Sequence, residues 1–173
     1  QLVEINANSL PTGPLLETPV DFIEKHNAIF PTAKSEKIVG IAWYSSDRRN
    51  SIPDSFLDRL HQLVTVSWLN LQHSLSNNAD FGNPMIYQNA ARKESFTAEV
   101  VITNDTTAGV FSTLLGKKTI VLCPNDPFWF WSAHQRLGVY QCTTVLSRGW
   151  NENWDHFFDE KLLPNLSKHL AIE

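Results

Sequence analysis

The sequence lacks the features that mark several large classes of protein. Its 173 residues include only 2 Cys, and no apolar stretch approaches the roughly 18 residues that a membrane span needs. Lys and Arg never occur in runs longer than a pair, and the formal charge is -4. These absences exclude a disulfide scaffold and a membrane-spanning segment, and they argue against a nucleic-acid partner. We expect Cys123 and Cys142 to be free thiols in a cytoplasmic protein.

Motifs for metal and nucleophile chemistry are also missing. The 6 His are scattered without the spacing of metal ligands, and neither Cys-x-x-Cys nor His-Glu-x-x-His occurs. A Gly-x-Ser-x-Gly elbow, a Walker loop and a Gly-x-Gly-x-x-Gly fingerprint are absent as well. We therefore expect no metal and no resident cofactor, and we disfavour a hydrolase triad or an NAD enzyme.

The residues that are present suit one globular domain, with 42% hydrophobic and 18% charged residues. Residues 1–36 are rich in Pro and Gly and are interpreted as a connecting arm. From residue 37 to residue 173, apolar β-type segments alternate with amphipathic helical segments. This alternation predicts the α/β class, with a Rossmann-like, three-layer parallel sheet. Strands are expected near 38–43, 64–71, 99–103, 119–123 and 139–146, and helices near 54–63, around 90–98, at 107–115 and at 154–170. Asp54 or Ser55 is the expected N-cap of the first helix. Gly116 is expected to take the left-handed turn after the helix at 107–115, and Pro164 is expected to kink or divide the last helix.

Ligands of such sheets bind beyond the carboxyl ends of the strands, and the third strand ends in a segment of particular interest. Asp105, Thr106 and Thr107 follow a buried strand and open a helix. Backbone N–H groups, Thr hydroxyls and the helix dipole at that point suit a phosphate group without any Lys. The alternative is a well-capped helix with no ligand, since Asp and Thr are favoured as caps in any protein.

Other loops at the same edge offer further candidates. Ser45 and Ser46 follow the first strand with two nearby arginines, a set that suits diphosphate oxygens or simply forms a solvated loop. Gln72 ends the second strand with an amide able to read a base or ribose hydroxyl. After the fourth strand, Trp129 is a stacking candidate, whereas Trp131 is expected in the core.

Two aromatic residues near the end of the sequence have two possible roles. Trp150 and Phe157 are candidates for an interface, but core packing is favoured for each.

Taken in order, these segments resemble a known family. The set is Ile38–Ser46, Asn50–Pro53, Val66–Gln72, Val101–Gly109, Leu115–Thr119, Phe128–Trp131 and Trp150–Trp154. It is similar to the C-terminal, donor-binding half of GT-B glycosyltransferases of the heptosyltransferase-like and bacterial tetratricopeptide-linked, O-GlcNAc-transferase-like group, and it covers about residues 10–158.

This resemblance implies a nucleotide-sugar donor site. It places Ser45 and Ser46 near the diphosphate and Gln72 near the base or ribose. It places Asp105, Thr106 and Thr107 at the helix start that receives the phosphates. It implies hexosyl or heptosyl transfer to a protein or glycan acceptor without a divalent metal. The acceptor site and the catalytic base belong to a missing N-terminal half or partner subunit, so no catalytic residue is assigned to this chain.

A second interpretation is a degenerate Rossmann-like module that binds no nucleotide and acts as a scaffold or partner-binding surface. Its support is the absence of three residues that are usual in the family. Val110 and Thr113 stand where the family's helix has His and Gly, and the loop Phe128–Trp131 lacks the family's Arg.

Overall fold

The computed structural model describes most of the predicted domain and a short part of the arm. The described residues are 13–17, 37–45, 51–62, 66–71, 98–123, 131 and 141–171. The strands are β1 (Lys37–Ala42), β2 (Val66–Asn70), β3 (Val100–Asn104), β4 (Lys118–Cys123) and β5 (Thr143–Ser147). The helices are α1 (Asp54–His61), α2 (Thr107–Leu114), α3 (Trp154–Phe157) and α4 (Leu163–Leu170), with a π-helical segment, Phe158–Leu162, between α3 and α4.

The five described strands form one parallel sheet in the order β2-β1-β3-β4-β5. Every residue of β3 is buried, and the last five of β4 are buried too. Strands covered on both faces read as unbroken apolar runs, as the sequence does here. The predicted α/β class and Rossmann-like parallel sheet are confirmed.

Helices cover both faces of this sheet and create its three layers. On one face, α1 and the helical run Trp154–Leu170 pack on a large apolar cluster. Its members include Val39, Ile41, Phe56, Leu60, Ile102, Ile120, Phe157, Leu162 and Leu166. On the other face are two smaller clusters, which Ala108 and Val110 of α2 contact. The sheet thus lies between two layers of helices, with apolar packing on each of its faces.

The C-terminal helix, defined as the run Trp154–Leu170, has the predicted end points. Pro164 was expected to kink or divide it, and the π-helical segment Phe158–Leu162 ends just before this proline. The Leu163 N–H bonds to the Phe158 carbonyl, five residues back. Since Pro164 has no N–H to continue the α-helical pattern, a wider turn at this point accommodates it.

The capping of α1 differs from the prediction that Asp54 or Ser55 precedes the helix. Pro53 is the N-cap, with an extended backbone, and Asp54 is the first helical residue. A proline fits this position because its fixed φ suits the helix entry and its missing N–H leaves no donor unpaired. Asp54 instead places a carboxylate in the first turn, where the helix dipole favours negative charge.

Part of the predicted arm lies against the carboxyl end of α2. The N–H groups of Leu15 and Leu16 both bond to the Leu114 carbonyl, at 2.8 and 3.0 Å. Gly116 follows the helix with φ of +70° and packs against Pro14. Bonds from Gly116 N to Thr113 O and from Lys117 N to Ser112 O complete a Schellman motif. The predicted role of Gly116 as the left-handed residue after the helix is confirmed; the boundary of the arm at residue 36 stays a prediction.

At the amino edge of the sheet, two lysines hold the end of the C-terminal helix. Lys37 of β1 donates to the Leu170 carbonyl, and Lys118 of β4 donates to the His169 carbonyl at 3.0 Å. Lysine cations suit the negative end of a helix dipole. The helix end is thereby fixed to the first and fourth strands.

Candidate functional site

The strand order defines where a ligand is expected. From β1 the chain crosses to β2 on one side, and β3 then lies on the other side of β1. This reversal opens a crevice beyond the carboxyl ends of β1 and β3, which is the usual ligand position in an open parallel sheet. The two loops that leave these strands form the candidate site.

The loop after β1 is closed by its own hydrogen bonds. The hydroxyl of Ser51 accepts from the Ser45 N–H at 3.1 Å and lies 3.3 Å from the Ser45 carbonyl, to which it donates. The Ile52 N–H bonds to the Trp43 carbonyl at 2.9 Å. These contacts hold Ser45, which is half-buried, at the mouth of the crevice.

Asn104 joins the two strands at the reversal point. Its side-chain amide donates to the Trp43 carbonyl at 3.1 Å, and both residues are buried. In the sequence, the signal of this role is an amide side chain at the end of the buried run Val100–Thr103, since a buried amide requires a nearby partner.

The turn from β3 into α2 leaves backbone donors free at the start of the helix. Thr106 is the N-cap, but its hydroxyl makes no capping bond. It lies 3.1 Å from the Thr103 hydroxyl and 3.4 Å from the Asn104 carbonyl. Among the described residues, no acceptor bonds to the N–H of Thr107 or Ala108, whereas the Gly109 N–H bonds to the Thr106 carbonyl at 3.0 Å. The side chain of Thr107 is exposed beside these donors.

Asp105 is turned away from solvent by Trp131. The indole Nε1–H of Trp131 donates to Oδ1 of Asp105 at 2.6 Å, and both side chains are buried. The indole ring lies against the first turn of α2: a Cβ built on Gly109 would be 3.4 Å from Trp131 Cζ2 and 3.0 Å from Thr103 Cγ2. Glycine at this position therefore avoids a tight contact with the Thr103 methyl group, while the indole of Trp131 lies at ordinary van der Waals distance.

The charge of the Asp105 carboxylate affects the pKa of Cys123, at the end of β4. Burial raises the pKa of its thiol to about 12, and the nearby negative charge of Asp105 adds to the rise. Cys123 is free and protonated, and it packs with Val121 and Trp131.

The structure brings four of the predicted site residues to one edge of the sheet: Ser45, Asp105, Thr106 and Thr107. The other three, Ser46, Gln72 and Trp129, lie outside the described residues. Leu71, just before Gln72, bonds through its N–H to the Ile41 carbonyl at 2.8 Å. The expected core position of Trp131 is confirmed.

Metal ligation has no support within the described part of the chain. There, no three His, Cys, Asp or Glu side chains are grouped so that they could hold a metal ion. Metal-independent binding stays a prediction. The same residues contain no helix both long and apolar enough to cross a membrane.

The loop after β5 also lies at this edge. The Arg148 N–H bonds to the Cys123 carbonyl at 3.0 Å, so the loop starts beside the end of β4. Trp150, on this loop, is 78% exposed, and the expectation that it packs in the core is wrong. Phe157, for which core packing is also expected from the sequence, is fully buried.

Comparison with solved structures finds a similar fold. The chain is similar to the crystal structure of a glycosyl transferase family 9 protein from Veillonella parvula DSM 2008, with a TM-score of 0.58 and 12% identity. The match covers 93% of this chain and 47% of that one, so this chain spans about half the length of the solved structure. No protein-family model and no curated protein matches the sequence. The likeness shows a GT-B glycosyltransferase-like α/β fold.

Proposed function

We propose that this chain is the nucleotide-sugar donor-binding domain of a GT-B glycosyltransferase that transfers a sugar to a protein or glycan acceptor. The carrying observation is that the N–H groups of Thr107 and Ala108, at the crevice between β1 and β3, bond to no acceptor in the part of the chain that the structure describes. The glycosyltransferase-like fold supports the same interpretation.

The phosphates of the donor would be held by backbone donors and the positive end of the α2 dipole. Thr107 adds an exposed hydroxyl, and Ser45 of the neighbouring loop faces the same edge. A charge near a helix terminus is stabilised by about 0.3–1 kcal/mol from the dipole alone. When the sugar is transferred, the nucleoside diphosphate is the leaving group, and these fixed donors would stabilise the negative charge that develops on it.

Asp105 has a different part in this proposal. Its carboxylate would repel a phosphate that approached it directly, but Oδ1 is bound to the indole of Trp131. We therefore assign Asp105 to shaping the turn that presents Thr106 and Thr107, rather than to contact with phosphate oxygens.

Transfer itself requires parts that the described residues do not supply. The acceptor site and the catalytic base would come from an N-terminal half or a partner subunit, in a cytoplasmic enzyme. Ser46, Gln72 and Trp129 keep their proposed roles near the diphosphate, the base or ribose, and a ring of the ligand.

The sharpest test removes one backbone donor without breaking the helix. Thr107 is the first residue of α2 and Thr106 before it is extended, so Thr107→Pro fits the helix entry and deletes both the N–H and the hydroxyl. Thr107→Val removes only the hydroxyl. Titration calorimetry with UDP, GDP, ADP and CMP sugars should identify a sugar nucleotide that the wild-type protein binds. Thr107→Pro should weaken that binding roughly 10- to 150-fold, as expected for a lost hydrogen bond to a charged group, and Thr107→Val should weaken it less.

The alternative function is a scaffold that binds no nucleotide. Val110 supports it, because this residue stands where the resembled family has His and packs against the apolar cluster of Val121, Cys123 and Trp131. Well-folded wild-type protein that binds none of the four sugar nucleotides would establish the scaffold and refute the donor site.

A further inference from the structure

Trp150 is exposed to solvent on a loop that several hydrogen bonds fix in place. The loop, residues 148–153, joins β5 to α3, and the Trp150 side chain at its centre is 78% exposed. Single exposed apolar residues are common on proteins, so exposure alone has no functional meaning. The meaning comes from the contacts that fix the loop around this tryptophan.

The first set of contacts converges on Glu152. Its Oε2 accepts from the Gly149 N–H and from Lys161 Nζ, each at 2.7 Å, and its Oε1 lies 3.0 Å from Nδ1 of His156. The carboxylate is only 11% exposed. Partial burial tends to raise the pKa of Glu152, but the bonds from Lys161, Gly149 and His156 outweigh it and lower the pKa to about 2.

A second set fixes the backbone on both sides of Trp150. The Glu152 N–H bonds to the Gly149 carbonyl at 3.1 Å, and Nη1 of Arg148 donates to the Glu152 carbonyl at 2.6 Å. The Arg148 guanidinium lies 5.1 Å from the ring centre of Trp154. The side chain of Asn153 accepts from the His156 N–H at 2.8 Å and caps α3. Trp150 is thus presented from a preorganised loop.

The loop also lies within reach of the candidate site. It begins beside Cys123 at the carboxyl edge, and β5 is two strands away from β3. At the usual spacing between strands this is about 10 Å. A nucleotide sugar bound by its phosphates at the start of α2 is long enough for one of its terminal rings to cross that distance.

We infer that Trp150 is a stacking platform for a ring of the bound nucleotide sugar, either its nucleobase or its sugar. This inference rests on the proposed donor-binding function. Both rings present an uncharged face that packs on an indole, and a rigid platform loses little conformational freedom when it binds. Removal of an aromatic side chain on which a base stacks typically weakens affinity roughly 5- to 150-fold.

Titration calorimetry on the full chain tests this, with UDP, GDP, ADP and CMP sugars and the corresponding free nucleotides. Trp150→Ala should weaken binding of the preferred sugar nucleotide 5-fold or more, and Trp150→Phe should retain most of the affinity. Leu15→Ala is the matched control, because Leu15 is 48% exposed but lies at the opposite end of α2, and it should change nothing. Glu152→Gln loosens the loop without removing the ring and should produce an intermediate loss.

Titrations with the free nucleotides distinguish stacking of the nucleobase from stacking of the sugar. Equal losses for nucleotide and sugar nucleotide identify the base as the stacked ring, whereas a loss confined to the sugar nucleotide identifies the sugar. Unchanged binding by Trp150→Ala, with wild type binding normally, overturns this inference alone. A wild-type protein that binds no nucleotide overturns the proposed function and the inference together.

Discussion

Trp131 and Asp105 are joined across the start of α2 by a 2.6 Å hydrogen bond between the indole Nε1–H and a carboxylate oxygen. The two residues are far apart in sequence: Asp105 directly follows β3, and Trp131 comes eight residues after the end of β4. A buried carboxylate needs donors to offset the loss of water. The bond therefore connects the orientation of the turn at Thr106 to the packing of a distant tryptophan.

Replacing Trp131 by Phe should cost stability because it leaves Asp105 without this donor. Hydrogen bonds to charged groups contribute roughly 1.5–3 kcal/mol, and we expect a loss in that range, measured by urea unfolding. Trp154→Phe is the control, since the described residues offer the Trp154 indole N–H no hydrogen-bond partner. Similar losses in both variants would show that ring volume, rather than the bond to Asp105, sets the cost.

Gly116→Ala should destabilise the protein, whereas Gly13→Ala should not. An L-residue at φ of +70° costs roughly 1–2 kcal/mol, and the new Cβ would lie 2.6 Å from Pro14 Cγ. A Cβ on Gly13 would meet nothing within 4 Å. Urea midpoints of the two variants provide the comparison, and an unchanged midpoint for Gly116→Ala would contradict the described helix end.

Glu152 should give the protein a specific acid sensitivity. Its pKa falls from an ordinary 4.5 to about 2 on folding, so between these values the unfolded state binds more protons. The stabilisation is complete above pH 4.5 and is lost as the pH falls towards 2. Thermal melts should show Glu152→Gln less stable than wild type at pH 7, with the gap closing over this interval.

Glu160→Gln controls for the loss of a carboxylate from the same helical run, because Glu160 is exposed and makes no ion pair with the described residues. Its melting temperature should follow that of wild type at each pH. A gap for Glu152→Gln that stays constant from pH 7 to pH 2 would refute the role of its charge.

The two cysteines should differ sharply in reactivity. Alkylation requires the thiolate, and Cys123 is fully buried with a pKa near 12. Burial also raises the pKa of Cys142, but this thiol is only half-buried. Mass spectrometry of iodoacetamide-treated native protein should find Cys142 modified first, with Cys123 modified only in urea. Early labelling of Cys123 would contradict its described position.

The sequence predicted the sheet well because three strands are apolar on both faces. The predicted edges of β1, β3 and β4 fall within one residue of those observed, since polar residues, Gly or Pro bound each run. β5 was expected from residue 139 but begins at Thr143, after a turn at residues 141–142. Its alternating pattern extends into that turn, and periodicity alone gives no stop signal there.

The candidate site was predictable in position but not in detail. Alternation of strands and helices predicts a parallel sheet, and residues that directly follow a strand of such a sheet, as Asp105 to Thr107 do, lie at its carboxyl edge. That Asp105 bonds to Trp131, or that Thr106 turns its hydroxyl towards Thr103, depends on packing between segments far apart in sequence. Local cap preferences contain no information about such contacts.

The lysine contacts at the amino edge have a consequence for the order in which the domain matures during translation. β1 is translated before the C-terminal helix, yet the Lys37 side chain reaches the carbonyl of Leu170, and the apolar face of β1 is covered partly by Phe157 and Leu166. A nascent chain that has not yet released this helix from the ribosome leaves one apolar face of its sheet uncovered. Chaperone occupancy should therefore persist until the C-terminal helix of this domain emerges, and translation products that stop before this helix should be degraded rather than accumulate.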